Sequence, residues 1–283
     1  MSTATPAHHP PKNRPITPSL VRLIRWTRML VHVGVGLFLV GLIFPRVVRD
    51  QRAAITKWWS AKILRILNIT LTTQGVRPAA RIKNTVIVAN HVSWLDIFVL
   101  NAVHASRFIA KSEIRDWPVA GWLCDRAGTI FIRRARRSDT VRINQIMHEV
   151  LAGGDTIGLF PEGTTTAGDH LLKFNSSLFE PAIANTATIL PVAVRYRHND
   201  GEWCKEASFV GELSFGESLG LIIRQPSMIV EVAFTPPIDS ANMSRRDLAL
   251  RAEVAVAAAL GVPQPHAHQR FSGIVTTHPP HRE

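Results

Sequence analysis

A histidine and an aspartate stand five residues apart in "ANHVSWLDIF", Ala89 to Phe98. An imidazole held at one ring nitrogen by a carboxylate keeps a fixed tautomer, and its other nitrogen can then take a proton from a hydroxyl. On a single helix a five-residue offset is about 140° of rotation, which would keep the two side chains apart. With His91 in a loop and Asp96 in the first turn of the helix that follows, the pair can meet. The same letters also describe an ordinary helix start. Ser93-Trp94-Leu95-Asp96 fits the capping-box pattern, with Ser93 as the cap and Asp96 at the third helical position. On that reading His91 is a loop residue without chemistry.

Three further stretches have the composition of a site. In "GTIFIRRARR", Gly128 to Arg137, Arg133 and Arg134 leave a buried strand at the rim of a sheet, a placement suited to bidentate capture of phosphate. In "LFPEGTTTAGD", Leu159 to Asp169, an apolar strand runs into Glu162, Gly163 and Thr164. The glycine there would let a ligand approach the backbone closely. In "ILPVAVRY", Ile189 to Tyr196, Pro191 points to a sheet edge or an irregular strand end. The bland alternatives are a solvated basic loop, a well-formed turn and a plain buried strand.

The elements that must position these residues alternate. Asn84–Asn90, Arg107–Lys111, Gly128–Arg134, Asp155–Pro161, Thr188–Tyr196 and Ser227–Phe234 read as strands, several of them buried on both faces. Trp94–Val103, Ser138–Ala152 and Leu178–Asn185 carry helical periodicity. The expected fold class is α/β, a mixed and largely parallel sheet flanked by helices. Ligands in such sheets gather at loops leaving the carboxyl ends of strands, and the polar stretches fall there.

Ahead of this body, Met29 to Phe44 runs without a formal charge, and arginines flank it on both sides. The run is borderline for spanning a bilayer, which takes about 20 residues. The balanced flanks suit a helical pair dipping into one leaflet better than a single span. Ile55, Trp59, Ile63, Ile66 and Ile69 share one helical face in the next segment, which reads as an imperfect interfacial helix, the alternative being a core-facing one. The expected organisation is therefore a polar tail over 1–19, a membrane-associated helical pair over 20–70, an α/β domain over 71–261 and a second polar tail over 262–283.

The chain has 283 residues with 33 Lys+Arg against 21 Asp+Glu, a net charge of +12, so its surface favours anionic partners. Nucleic acid is not expected, because no interleaved aromatics or nucleic-acid-binding motif accompany the basic stretch. Cys124 and Cys204 are the only cysteines and show no metal-type spacing, so reduced thiols facing the cytosol and no metal are expected.

The order of the four blocks carries more than any one of them. Asn90-His91-x4-Asp96, Gly-x-Ile-Phe-Ile-x-Arg, Phe-Pro-Glu-Gly-Thr and Leu-Pro-Val together resemble the glycerolipid acyltransferase family, which includes the 1-acylglycerol-3-phosphate acyltransferases. The similarity runs from about Arg22 to Phe234. It implies an α/β domain held at the membrane by N-terminal helices, with the catalytic domain facing the cytoplasm. The implied reaction moves a fatty acyl group from acyl carrier protein or coenzyme A to a lysolipid hydroxyl, with no other cofactor. His91 corresponds to the catalytic base and Asp96 to its partner. Arg134, with Arg133 beside it, corresponds to the acceptor-phosphate site, Glu162, Gly163 and Thr164 to the acceptor pocket, and Pro191 to the acyl-binding region. The implied acceptor is 1-acyl-sn-glycerol-3-phosphate, giving phosphatidate. Two departures leave another lysolipid open, such as a lyso-ornithine lipid or a lysophospholipid: Thr165 stands where many members carry arginine, and Arg133 where an acid is common. Two rivals remain at this stage. One makes Ser93 the nucleophile of a thioesterase, although no Gly-x-Ser-x-Gly surrounds it. The other is a non-enzymatic basic protein binding anionic membrane or nucleic acid.

Overall fold

The computed structural model describes residues 15–78, 82–132 and 137–265. The uncharged N-terminal run becomes helix α1 (Ser19–Phe38), continued by a π-helical stretch, Leu39–Ile43, and a 3-10 turn at Phe44–Arg46 that carries Pro45. Helix α2 (Arg49–Ile66) then returns alongside it. There follow β1 (Ile69–Gln74), β2 (Thr85–Ala89), α3 (Leu95–Val103), β3 (Arg107–Lys111), α4 (Ala120–Arg126), β4 (Ile130–Ile132), α5 (Arg137–Ala152) and β5 (Thr156–Leu159). The chain ends through α6 (Glu180–Ala184), β6 (Thr188–Arg197), α7 (Phe215–Arg224), β7 (Met228–Phe234), β8 (Ile238–Asp239) and α8 (Arg245–Leu260).

The strands form one sheet in the order β1-β7-β6-β2-β5-β3-β4, with β8 added beside β6. Pairing is parallel except where β6 meets β7 and β8. This is the expected mixed, largely parallel sheet, and its two faces explain the apolar runs. Ile87, Ala89, Val192 and Val194 pack towards α2, α3 and α7, while Val86, Val88, Ile157 and Ile189 pack towards α5, α6 and α8. Strands covered on both faces run apolar at successive positions, which is why β2 reads Val-Ile-Val-Ala after Thr85.

Two expectations need correction. The apolar face of α2 turns inward: Ile63, Leu64 and Ile66, with Leu67 just past the helix end, are all buried in the core under the sheet. Their burial, roughly 6–12 kcal/mol gross at about 1.5–3 kcal/mol each, is met by the protein itself, which is the core-facing alternative. The helix also stops at Ile66, and Ile69 begins β1 instead. The outward apolar surface belongs to α1, where Leu20, Leu23, Leu30, Val31 and Phe38 are exposed. Ser19–Arg46 is long and apolar enough to cross a membrane by length and composition alone.

Pro191, secondly, lies in an interior strand and not at an edge, paired with Val88 of β2. Its carbonyl accepts from Thr235 N at 3.1 Å, so its ring nitrogen faces the same side. There β8 ends its pairing at Ile189 and β7 begins at Val192, and the gap between them needs no ladder donor.

Arg25 ties α1 to the body. Its guanidinium donates to the carbonyls of Ile223 at 3.0 Å, Gln225 at 2.6 Å and Pro226 at 2.8 Å, at the end of α7. Further along, His32 Nε2 lies 3.0 Å from Trp59 O, and Trp59 Nε1 donates to His32 O at 3.1 Å, clasping α1 to α2.

Candidate active site

β2 and β5 are parallel neighbours, so both release their chains at the same rim of the sheet. His91 follows β2 and Glu162 follows β5. Asn90 fixes the departure point. Its amide donates to Val194 O at 2.9 Å and accepts from Val194 N at 2.8 Å, extending the β2–β6 pairing through a side chain.

His91 leaves this anchor in a loop, and its Nδ1 meets Asp96 Oδ2 at 2.8 Å. The loop-then-helix geometry has thus closed the five-residue gap. Asp96 is fully buried, and its carboxylate also accepts from Val92 N at 2.7 Å, Ser93 N at 2.9 Å and Tyr196 Oη at 2.7 Å. A buried carboxylate is tolerated only when donors surround it, and here four do. Burial first, and then Asp96, hold the Tyr196 phenol far above its usual range, so it stays protonated and donates. With Nδ1–H engaged by Asp96, Nε2 is the nitrogen left to accept a proton.

The cap differs from the sequence expectation. Trp94 takes the N-cap position of α3 and Ser93 makes no side-chain cap bond. Among the described residues, the buried Ser93 hydroxyl has no hydrogen-bond partner. Only the reverse half of the box forms, from Asp96 to the Ser93 N–H. Because the N–H groups of Val92 and Ser93 both serve Asp96, neither is left to face a developing oxyanion. A fully buried hydroxyl with no base bonded to it also removes Ser93 as a nucleophile.

Glu162 ties the third block to the first. One of its oxygens accepts from His91 N at 2.7 Å and the other from Leu172 N at 2.8 Å. Burial pushes its carboxyl up to about 7, opposed by those two N–H donors and raised further by Asp96. The His91 carbonyl accepts from Thr166 N at 2.8 Å, so the histidine's backbone is held on both sides by the same loop. Gly163, at φ +76°, makes the turn that this loop requires, and Thr164 is exposed at its tip. Thr165 directs its hydroxyl to the Phe209 carbonyl.

The imidazole lies flat on Phe160, with centroids 4.1 Å apart and planes at 12°. Phe160 lies in turn on Phe108 at 5.6 Å. Phe108 also forms part of the wall of an apolar cavity of about 180 Å³ between α1, α2, α3 and α4, alongside Val40, Phe44, Trp59, Phe98 and Leu123.

The fold therefore assembles His91, Asp96 and Glu162, with Gly163 and Thr164 beside them. Pro191 stays inside the sheet, and Arg133 and Arg134 lie outside the described residues. Tyr196 and Phe160 escaped the sequence reading as site residues. Tyr196 had one signal, as the chain's single tyrosine at the end of a buried strand.

Comparison with known proteins bears on this arrangement. The profile of the acyltransferase family matches residues 70–195, which contain His91, Asp96 and Glu162. A lyso-ornithine lipid O-acyltransferase of Pseudomonas aeruginosa is 37% identical over 244 residues, covering 84% of this chain and 93% of that protein. A 1-acyl-sn-glycerol-3-phosphate acyltransferase of Neisseria gonorrhoeae is 40% identical over 171 residues, 60% of this chain and 67% of that one. The crystal structure of the 1-acyl-sn-glycerophosphate acyltransferase PlsC of Thermotoga maritima shares the fold, with a TM-score of 0.63 at 21% identity over 91% of this chain and 97% of the other. An α/β sheet carrying a histidine–aspartate pair at the rim of β2, within a chain this similar to named acyltransferases, belongs to the acyltransferase family and is an enzyme of glycerolipid type.

Proposed function

We propose that the chain acylates the free hydroxyl of a lyso-ornithine lipid, using a fatty acyl thioester of acyl carrier protein or coenzyme A, at the cytoplasmic face of a membrane. The observation that carries the chemistry is the Asp96-held imidazole with Nε2 directed away from the carboxylate. His91 Nε2 takes the proton from the acceptor hydroxyl as its oxygen attacks the thioester carbonyl. The tetrahedral intermediate collapses, the carbon–sulfur bond breaks, and the imidazolium returns the proton to the departing thiolate. Asp96 supports the positive ring throughout. Proton transfer of this kind contributes about 10²–10⁴ in rate.

The choice of acceptor departs from the phosphorylated one that the resemblance implies. Where many members carry an arginine after Glu-Gly-Thr, Thr165 gives its hydroxyl to the Phe209 carbonyl and offers no cation to a phosphate monoester. The P. aeruginosa relative, whose length this chain covers almost completely, is named for lyso-ornithine lipid. The apolar cavity behind Phe108 is suited to a fatty chain, and the exposed face of α1 is suited to lipid, with α1 lying in one leaflet and α2 turned towards the protein core. Purified enzyme in detergent should acylate lyso-ornithine lipid at least about tenfold faster than 1-acyl-glycerol-3-phosphate, read by lipid mass spectrometry with both donors. Preference for the phosphorylated lysolipid would reverse the acceptor assignment. A folded His91→Ala variant with undiminished transfer would overturn the mechanism.

A further inference from the structure

Beyond Tyr196 the chain leaves β6, reverses through Asn199–Gly201 and returns by a bridge between Arg197 and Trp203 into a 3-10 turn at Lys205–Ala207. The reversal stacks three different donor groups. His198 Nε2 lies 3.0 Å from Glu206 Oε2, Cys204 Sγ lies 3.6 Å from the same oxygen, and all three atoms fall within 4.8 Å of one another. His198 and Cys204 are buried, while Glu206 reaches the surface with a third of its side chain exposed. Met228 Sδ closes the inner side, 3.2 Å from Cys204 Sγ.

These spacings suit a tetrahedral ion. With zinc bonds of about 2.3 Å to sulfur and about 2.0–2.2 Å to nitrogen and oxygen, a tetrahedron has a nitrogen–oxygen edge of about 3.4 Å and a sulfur–oxygen edge of about 3.6 Å. The observed nitrogen–oxygen and sulfur–oxygen edges are 3.0 and 3.6 Å, close to these values, and the sulfur–nitrogen edge lies within 4.8 Å. Thiol, imidazole and carboxylate are also the zinc donor set, whereas calcium and magnesium take oxygen alone.

We propose that His198, Cys204 and Glu206 bind a single zinc ion, with a water completing the tetrahedron on the exposed side of Glu206. The ion takes no part in acyl transfer. Cys204 N donates to Tyr196 O at 3.1 Å, so the ligand loop grips the strand end whose tyrosine holds Asp96. Zinc there crosslinks the reversal and stiffens the wall behind the catalytic pair. The His-x5-Cys-x-Glu spacing matches no common zinc pattern, and only the turn at Asn199–Gly201 brings its members together.

The test uses the full chain in detergent, freed of metal by chelation and titrated with Co²⁺ and then Zn²⁺. Thiolate ligation should give a sulfur-to-cobalt charge-transfer band that saturates at one equivalent and disappears when zinc displaces cobalt. Cys204→Ser should abolish the band, and Cys124→Ser should keep it. Glu206→Gln, at the surface where folding is safest, should weaken binding by about tenfold or more, because losing even outer partners of a metal site costs about 10–100-fold. Zinc should also raise the unfolding temperature of the wild type and leave Cys204→Ser unmoved. A folded wild type without the band, or a Glu206→Gln variant with unchanged affinity, would overturn the site. Binding without a sulfur band would place the metal on other histidines, such as His8, His9, His266 and His268 of the tails.

Discussion

Removing the Tyr196 hydroxyl tests the catalytic reading most sharply. Tyr196→Phe keeps the ring in the core and deletes one donor, the 2.7 Å bond to Asp96 Oδ1. Hydrogen bonds to a charged group are worth about 1.5–3 kcal/mol, and both partners here are fully buried, so folding stability should fall by about that amount. The bond exists before and during transfer, so most of the loss is common to ground and transition states. The differential part comes from Asp96, which loses the support that holds its carboxylate square to the imidazole as positive charge develops there. If the whole 1.5–3 kcal/mol were lost only at the transition state, kcat would drop about 10–150-fold, and with at most half of it differential the expected loss is no more than about 3–12-fold. KM should change by less than about twofold, since the hydroxyl lies behind Asp96 and not in the acceptor's path. Steady-state acyl transfer at saturating donor, beside denaturation of the same protein in the same detergent, reads both quantities. A variant that loses the expected stability and keeps its full kcat would show that the hydroxyl serves the fold alone.

Three other perturbations give outcomes of comparable clarity. Because the Glu162 carboxyl is raised from 4.5 to about 7, the native state holds its proton where the unfolded chain releases it, so this group's stability contribution is full below about pH 4.5 and is lost as pH rises to about 7. The loss is at most about 3 kcal/mol, and Glu162→Gln should remove that part of the pH dependence when denaturation is compared at pH 5 and pH 8. A wild type and variant with identical pH profiles would contradict the shift. Gly158→Ala places a methyl 2.3 Å from the Phe108 ring, beneath Phe160 and His91. Overpacking of this kind typically costs about 1–3 kcal/mol, and activity should fall with stability in thermal and kinetic assays. Thr56→Phe narrows the apolar cavity and should move donor preference towards shorter acyl chains, by about fourfold in kcat/KM for each methylene excluded, in competition between acyl donors.

How far the sequence reaches depends on how local each contact is. His91 and Asp96 share one loop and one helical turn, so spacing allows their meeting, while the order of the four blocks separates it from a plain helix start. Glu162 was legible as a member of a motif, but its partners were not, because they are the N–H groups of His91 and Leu172 and every residue carries such a donor. Tyr196 stands 100 residues from Asp96, and only the β2–β6 pairing makes them neighbours. The register of those strands, not any pattern of letters, completes the site. β1 is missing from the expected strands, and its first residue, Ile69, falls into the helical spacing of α2 because only two residues of turn separate helix from strand. Helical spacing located the apolar face of α2, yet spacing does not distinguish a protein core from lipid as the thing that covers it.

In the proposed mechanism the confinement of His91 would also set regiochemistry. Its backbone is pinned on both sides, its Nδ1 is bound to Asp96, and Phe160 lies against a face of the ring. A proton taken by Nε2 would travel along one line, in the plane of the imidazole. A lipid headgroup bearing more than one hydroxyl would then have to present a single oxygen edge-on to that line, so angle of approach, and not which hydroxyl is the stronger acid, would decide which ester forms.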